Sequence, residues 1–116
     1  MKILIADDND NSRVSVANFL RKIGYEVDEY KDGYSALRGF LVNNYGMVLS
    51  DIKMPNMTGI DLLKAISASP YRNDVDVVLF TGHGDLEYAI QALRLGAYDY
   101  LLKPLNIKEL IEVTER

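Results

Sequence analysis

No cysteine occurs among the 116 residues, which excludes a disulfide framework, a thiolate zinc cluster and a catalytic thiol. Proline is scarce at three residues, so the chain lacks the composition of a disordered or linker segment. Positive charge is in deficit, 13 Lys and Arg against 17 Asp and Glu for a net −4. Nucleic-acid binding by this segment is therefore not expected, since that function shows as a basic stripe. No apolar run approaches the roughly 20 residues that cross a bilayer. Met1-Lys2 leads straight into a strand without the apolar region of a signal peptide, and a reducing cytoplasm is the expected location. A glycine-rich phosphate turn is missing too: Ile3-Leu4-Ile5-Ala6 runs into Asp7-Asp8-Asn9-Asp10, and bare carboxylates there would repel a nucleotide phosphate.

What is present is a globular profile, 48% hydrophobic and 26% charged, of a length that suits one domain over residues 1–116. Short apolar runs alternate with amphipathic stretches. Strands are expected at Ile3–Ala6, Glu26–Tyr30, Met47–Ser50, Asp76–Phe80 and Tyr98–Leu102, the second more polar, as suits a sheet edge. In the first helix Val16, Phe19, Leu20 and Ile23 share one face, with Gly24 as the left-handed stop. Asp32 is a cap for the second helix, whose core face is expected to be Ala36, Leu37, Phe40 and Leu41. Thr58 and Asp61 form a capping box ahead of Leu62, Leu63 and Ile66. The fourth helix, from near Asp85 to Gly96, carries Leu86, Ala89, Ile90 and Leu93 on the face expected to meet the sheet. Beside them Tyr88, Ala92 and Leu95 make a second stripe. The fifth helix begins with Asn106 as cap and reaches Arg116, as an isolated module would.

Five βα units predict a parallel α/β sheet, whose strand ends line the crevice where ligands bind. There the chain places Asp7, Asp8, Asp51, Thr81 and Lys103. Taken singly each has an ordinary explanation: Asp in a strand-to-helix turn, Thr at a strand end, Lys before a proline turn. Jointly they make a metal and phosphoryl kit. Carboxylate oxygens with no His or Cys among them suit Mg²⁺ best. Asp51, at the end of the most apolar strand, needs a compensating cation, and a carboxylate so placed is a candidate nucleophile toward phosphorus.

Asp7-Asp8, the segment Ser50-Asp51-Ile52-Lys53-Met54-Pro55-Asn56-Met57-Thr58-Gly59, Thr81-Gly82 and Tyr100-Leu101-Leu102-Lys103-Pro104 follow an order and spacing that resembles the receiver domain of two-component response regulators. The resemblance implies a doubly wound, flavodoxin-like sheet of order 2-1-3-4-5 flanked by five helices. It implies Asp51 as phosphate acceptor, and Mg²⁺ held by Asp8, Asp51 and the main-chain carbonyl of Lys53, with Asp7 acting through water. Thr81 and Lys103 would hold the phosphoryl oxygens, Tyr100 would be the switch aromatic, and the Lys103-Pro104 bond would be cis. The partners implied are a sensor histidine kinase and an output domain, AAA+ or DNA-binding, outside this chain. From Thr81 to Tyr100 the sequence looks most like receivers of sigma-54-dependent AAA+ transcription activators. Thr58 stands where the family often has Asp, and Lys53 and His83 border the expected phosphoryl pocket. The apolar second stripe on the fourth helix further suggests a homodimer through helix four, strand five and helix five, linking Asp51 phosphorylation to transcription regulation.

Three other readings suit parts of this pattern. A haloacid-dehalogenase-type phosphohydrolase also uses Asp and Mg²⁺, but it carries a second Asp where Lys53 stands. A pseudo-receiver would lack one of the acids or the lysine, all of which are present. A flavodoxin-like cofactor binder is opposed by the acidic first turn.

Overall fold

The computed structural model describes residues 1–82 and 86–115. Its elements are β1 (Lys2–Ala6), α1 (Asp10–Lys22), β2 (Glu26–Tyr30), α2 (Gly33–Val42), β3 (Met47–Asp51), α3 (Gly59–Ser67), β4 (Asp76–Thr81), α4 (Leu86–Arg94), β5 (Asp99–Leu102) and α5 (Ile107–Glu115). The five strands are parallel in the order β2-β1-β3-β4-β5. Because successive side chains of a strand point to opposite faces, the apolar runs divide between two cores. Ile3, Ile5, Leu49, Val78 and Phe80 pack with Ala17, Leu20, Leu110 and Val113 of α1 and α5. Leu4, Ala6, Val48, Val77 and Leu79 pack with α2, α3 and α4 through Ala36, Phe40, Leu63, Ile66 and Ala92. β3 is buried at every position, whereas the edge strand β2 buries only Val27.

The helix ends follow their sequence signals. Gly24, at φ 110°, closes α1 with Gly24 N–H donating to Arg21 O and Tyr25 N–H to Leu20 O. Gly96, at φ 93°, closes α4 with the same pair of bonds, Gly96 N–H to Leu93 O and Ala97 N–H to Ala92 O. A left-handed glycine followed by these two bonds satisfies the last carbonyls of a helix. Thr58 and Asp61 make both bonds of the capping box, and Asp32 accepts from Ser35 N–H at 2.7 Å. The Asn106 carboxamide accepts from Lys108 and Glu109 N–H at the start of α5.

Three helix faces differ from expectation. In α1 the buried line is Arg13, Ala17 and Leu20, with Val16 and Phe19 packed at its margin, while Ile23 leaves the core as the C-cap before the glycine turn. In α2 Leu41 is exposed and Gly39 is buried, because the Tyr30 ring lies against the helix where a Gly39 side chain would project. In α4 the expected core residues Ile90 and Leu93 are 43% and 48% exposed, while Ala89 and Ala92 are buried and Leu95 packs on the core. Two alanines three residues apart let the helix sit close to its neighbours, and the larger side chains turn outward. The expected start of α4 near Asp85 lies outside the described residues, as does the position of His83.

Candidate functional site

Register brings the polar residues together. Ala6 lies opposite Ser50, Asp51 opposite Phe80, and Thr81 opposite Leu102. Asp7, Asp51, Thr81 and Lys103 therefore leave four adjacent strands at one level of the sheet. The main chain reinforces the alignment: Ile52 N–H donates to Phe80 O at 3.1 Å, and Lys103 N–H to Thr81 O at 2.8 Å.

Carboxylate oxygens of Asp7, Asp8 and Asp51 all lie within 4.8 Å of one another. Asp7 is fully buried and Asp51 is 7% exposed, with Asp8 open to solvent. The Lys103 ammonium reaches Asp51 Oδ2 at 2.9 Å and Asp7 Oδ2 at 3.4 Å, and lies 5.2 Å from the Phe80 ring centroid. Burial raises the Asp51 carboxyl above its ordinary range. Lys103 opposes that shift, the Asp7 charge adds to it, and the Lys53 N–H, donating to Asp51 Oδ1 at 3.3 Å, opposes it more weakly. For Lys103 burial acts downward, but its bond to Asp51 and the charges of Asp51 and Asp7 outweigh it, so the ammonium is held above its usual range. The Lys103 ammonium thus pairs with two members of a cluster of three carboxylates. A site with that excess of negative charge favours a second cation, and the all-oxygen donor set fits a hard divalent one such as Mg²⁺.

Thr81 ends β4 almost fully buried. Tyr100 is half-buried in a groove between β5 and α5 with Glu109 and Glu112, opposite Leu79 and so two positions back from the strand ends. The Lys103-Pro104 peptide bond is cis.

Several contributors were not apparent from the sequence. Asn9 caps α1, accepting from Ser12 N–H, and its own N–H donates to Asp7 Oδ1 at 3.0 Å. Asn56, at φ 68°, turns the loop after β3, a conformation that asparagine tolerates. Gly59 lies so close beneath the end of β3 that a Cβ would stand 2.9 Å from Ile52 Cα and 3.0 Å from Asp51 C. Arg13 is buried, and its guanidinium donates to Asp7 O at 3.0 Å. Its pairing with Asp10 at i, i+3 is readable from spacing, whereas its bond to the Asp7 carbonyl is not.

The chain resembles known proteins along almost its whole length. Residues 3–115 match the response regulator receiver domain. The regulatory protein AtoC of Escherichia coli is 37% identical over 99% of the chain, and the C4-dicarboxylate transport transcriptional regulatory protein DctD of Rhizobium meliloti is 34% identical over 98%; the chain spans 24% of each. Both are regulatory proteins by name, in keeping with the resemblance to activator receivers. The chemotaxis response regulator CheY4 of Vibrio cholerae superposes with a TM-score of 0.91 at 30% identity, covering 99% of this chain and 96% of that one. With the fold, the strand order and nearly every residue of the chain accounted for, the protein belongs to the response regulator receiver domain family, the phosphorylation-dependent switches of two-component signalling.

Proposed function

We propose that this receiver takes a phosphoryl group onto Asp51 from the phosphohistidine of a sensor histidine kinase and relays the event through Thr81 and Tyr100 to the surface of α4, β5 and α5. The reading is carried by one observation, the 2.9 Å ion pair between Lys103 Nζ and Asp51 Oδ2 within a group of three convergent carboxylates. A carboxylate oxygen of Asp51 attacks phosphorus in line as the P–N bond breaks, the electron pair leaving with the imidazole, and an acyl phosphate results. Lys103 remains an ammonium throughout and transfers its hydrogen bond from the carboxylate to a phosphoryl oxygen, where negative charge now resides. Asp8, Asp51 and the Lys53 carbonyl, with Asp7 acting through water, would hold Mg²⁺, which when bound supplies positive charge to the phosphoryl oxygens. The Thr81 hydroxyl then donates a charge-assisted hydrogen bond to the phosphoryl group and biases a two-state equilibrium that includes Tyr100.

Beside Lys103 a cleft of about 490 Å³, walled by Asn9, Ser12, Val16, Pro104 and Leu105, gives the donor room to approach. The output is a changed affinity of the α4–β5–α5 surface for a second copy of the chain, with an attached AAA+ or DNA-binding domain regulating transcription in the cytoplasm. Apart from its own phosphorylation and dephosphorylation, the domain performs no catalysis. Labelling by a small phosphodonor tests the assignment. Wild type is expected to form an acid-stable, base-labile adduct only with Mg²⁺ present, and Asp51→Asn none. Undiminished labelling of Asp51→Asn, or full labelling in excess chelator, removes the assignment.

A further inference from the structure

We infer that Arg13 is a positioning residue for the cation site, fixing the turn that carries Asp7 and Asp8, a role that rests on the reading of those acids and Asp51 as Mg²⁺ ligands. Arginine is seldom buried unless paired, and Arg13 is 7% exposed on the core side of α1. All parts of its fork are engaged. Nη1 donates to the main-chain carbonyl of Asp7 at 3.0 Å, Nη2 pairs with Asp10 Oδ1 at 2.9 Å, and Nε reaches Glu29 Oε1 at 3.3 Å.

The carbonyl it holds belongs to the planar peptide that joins Asp7 to Asp8, so fixing that oxygen sets the direction in which both acids leave the strand end. Two further groups of the turn are tied as well. Asp7 N–H donates to Tyr30 O at 3.1 Å, and Asn9 N–H to Asp7 Oδ1 at 3.0 Å. Glu29 is itself held from the far side by Arg21 Nη1 at 2.9 Å, and Arg21 Nη2 is bonded to Val27 O at 2.8 Å. The Arg13 anchor is therefore the body of β2 rather than a loop.

Charge and geometry make opposite forecasts for this residue. As a mere cation Arg13 would compete with a bound metal, and neutralising it would tighten binding. As a rigid fork spanning three acceptors it preorganises the ligands, and its loss would loosen binding even when lysine keeps the charge, because an ammonium is a point donor.

Isothermal titration with Mg²⁺ alone separates the two. Arg13→Lys and Arg13→Gln are each expected to bind about tenfold more weakly, the lower end of what losing an outer-shell partner costs a metal site. The Asp7 and Asn9 amides are expected to exchange faster in both variants, while β3 and β4 amides keep their protection. Equal or tighter binding by Arg13→Gln, or wild-type binding by Arg13→Lys, overturns the inference. Should both variants unfold, Glu29→Ala carries the test: weaker Mg²⁺ binding supports the role, and unchanged binding overturns it. Wild type that binds no Mg²⁺, or binds it equally well as Asp51→Asn, overturns the ligand reading and this role together. Binding that is lost in Asp51→Asn yet indifferent to Arg13 overturns this role alone.

Discussion

Gly59 opens α3 directly beneath the end of β3, with its N–H donating to Ile52 O at 2.9 Å. The atoms that a side chain would meet there are all main chain, Asp51 and Ile52, and main chain cannot swing aside as the end of a flexible side chain can. Gly59→Ala gains helix propensity but forces the end of β3 to shift. Overpacking of this kind costs about 1–3 kcal/mol, and the shift falls on Asp51 itself. Urea unfolding is expected to show that loss, with slower phosphodonor labelling of the folded protein. An unchanged midpoint and rate would mean that the helix can retreat from the strand without consequence. At this scale the sequence reveals acids and a lysine readily, because strand ends locate them. It does not reveal Arg13, since a long cationic side chain on an amphipathic helix reads as a solvent-facing one until its partners on β2 are known.

Strands were more legible than helix faces. An apolar run flanked by turn residues locates a buried strand within a residue or so, and β5 differs only in beginning at Asp99 rather than Tyr98. A helix face depends on rotation, and rotation is set by size as much as by polarity. Ala89 and Ala92 took the inner side of α4, and the pairing of Gly39 with Tyr30 set the rotation of α2. The polar network on the edge strand was equally hidden. Tyr45 OH donates to Asp28 Oδ2 at 2.6 Å, Lys2 Nζ pairs with the same oxygen at 3.2 Å, and the ammonium lies 5.4 Å from the Tyr45 ring centroid. The Tyr45 bond is the main cause of the lowered Asp28 pKa, whereas burial and then the Asp28 bond raise that of Tyr45. A depressed carboxyl stabilises the fold above its unfolded pKa of ~3.9 and loses that effect as pH falls through the lower folded value. A raised phenol stabilises it below ~10 and loses that effect as pH climbs beyond. The stability difference between wild type and Asp28→Asn is therefore expected to be flat from about pH 5 to 9 and to shrink on both sides, as read by urea unfolding across pH. A difference that stays constant down to pH 2 would detach Asp28 from the network.

For the molecule as a whole, the outward side chains of α4 relocate the surface expected to bind a partner. Ala92 and Leu95 of the anticipated stripe face inward, and the exposed apolar residues are Tyr88, Ile90 and Leu93, accompanied by Leu102 and Ile107. No described helix is long and apolar enough to cross a membrane, so these residues do not belong to a spanning segment. Sedimentation at several concentrations, with Mg²⁺ and a phosphoryl mimic, is expected to show a self-association that responds to the mimic and is abolished by Tyr88→Glu with Leu93→Glu. A monomer in both states, or a dimer indifferent to the paired substitution, would assign that surface elsewhere.

The strand order also bears on how the chain assembles as it is made. β1 occupies an interior position, and once β2 has paired on one side of it, β3 joins its other side and β4 and β5 each join the strand laid down just before them. No strand must be inserted between two already paired, so the sheet can grow at a single open edge in step with synthesis from the N-terminus. The hazard on that route is the interval after β3 has docked and before β4 arrives. During it the open edge is β3, the strand that is buried at every position in the finished fold, and an unpaired edge of that kind is one that another chain can capture. A chain that has emerged as far as the segment between β3 and β4 would accordingly be the most aggregation-prone intermediate, with Asp51 at the tip of its exposed edge.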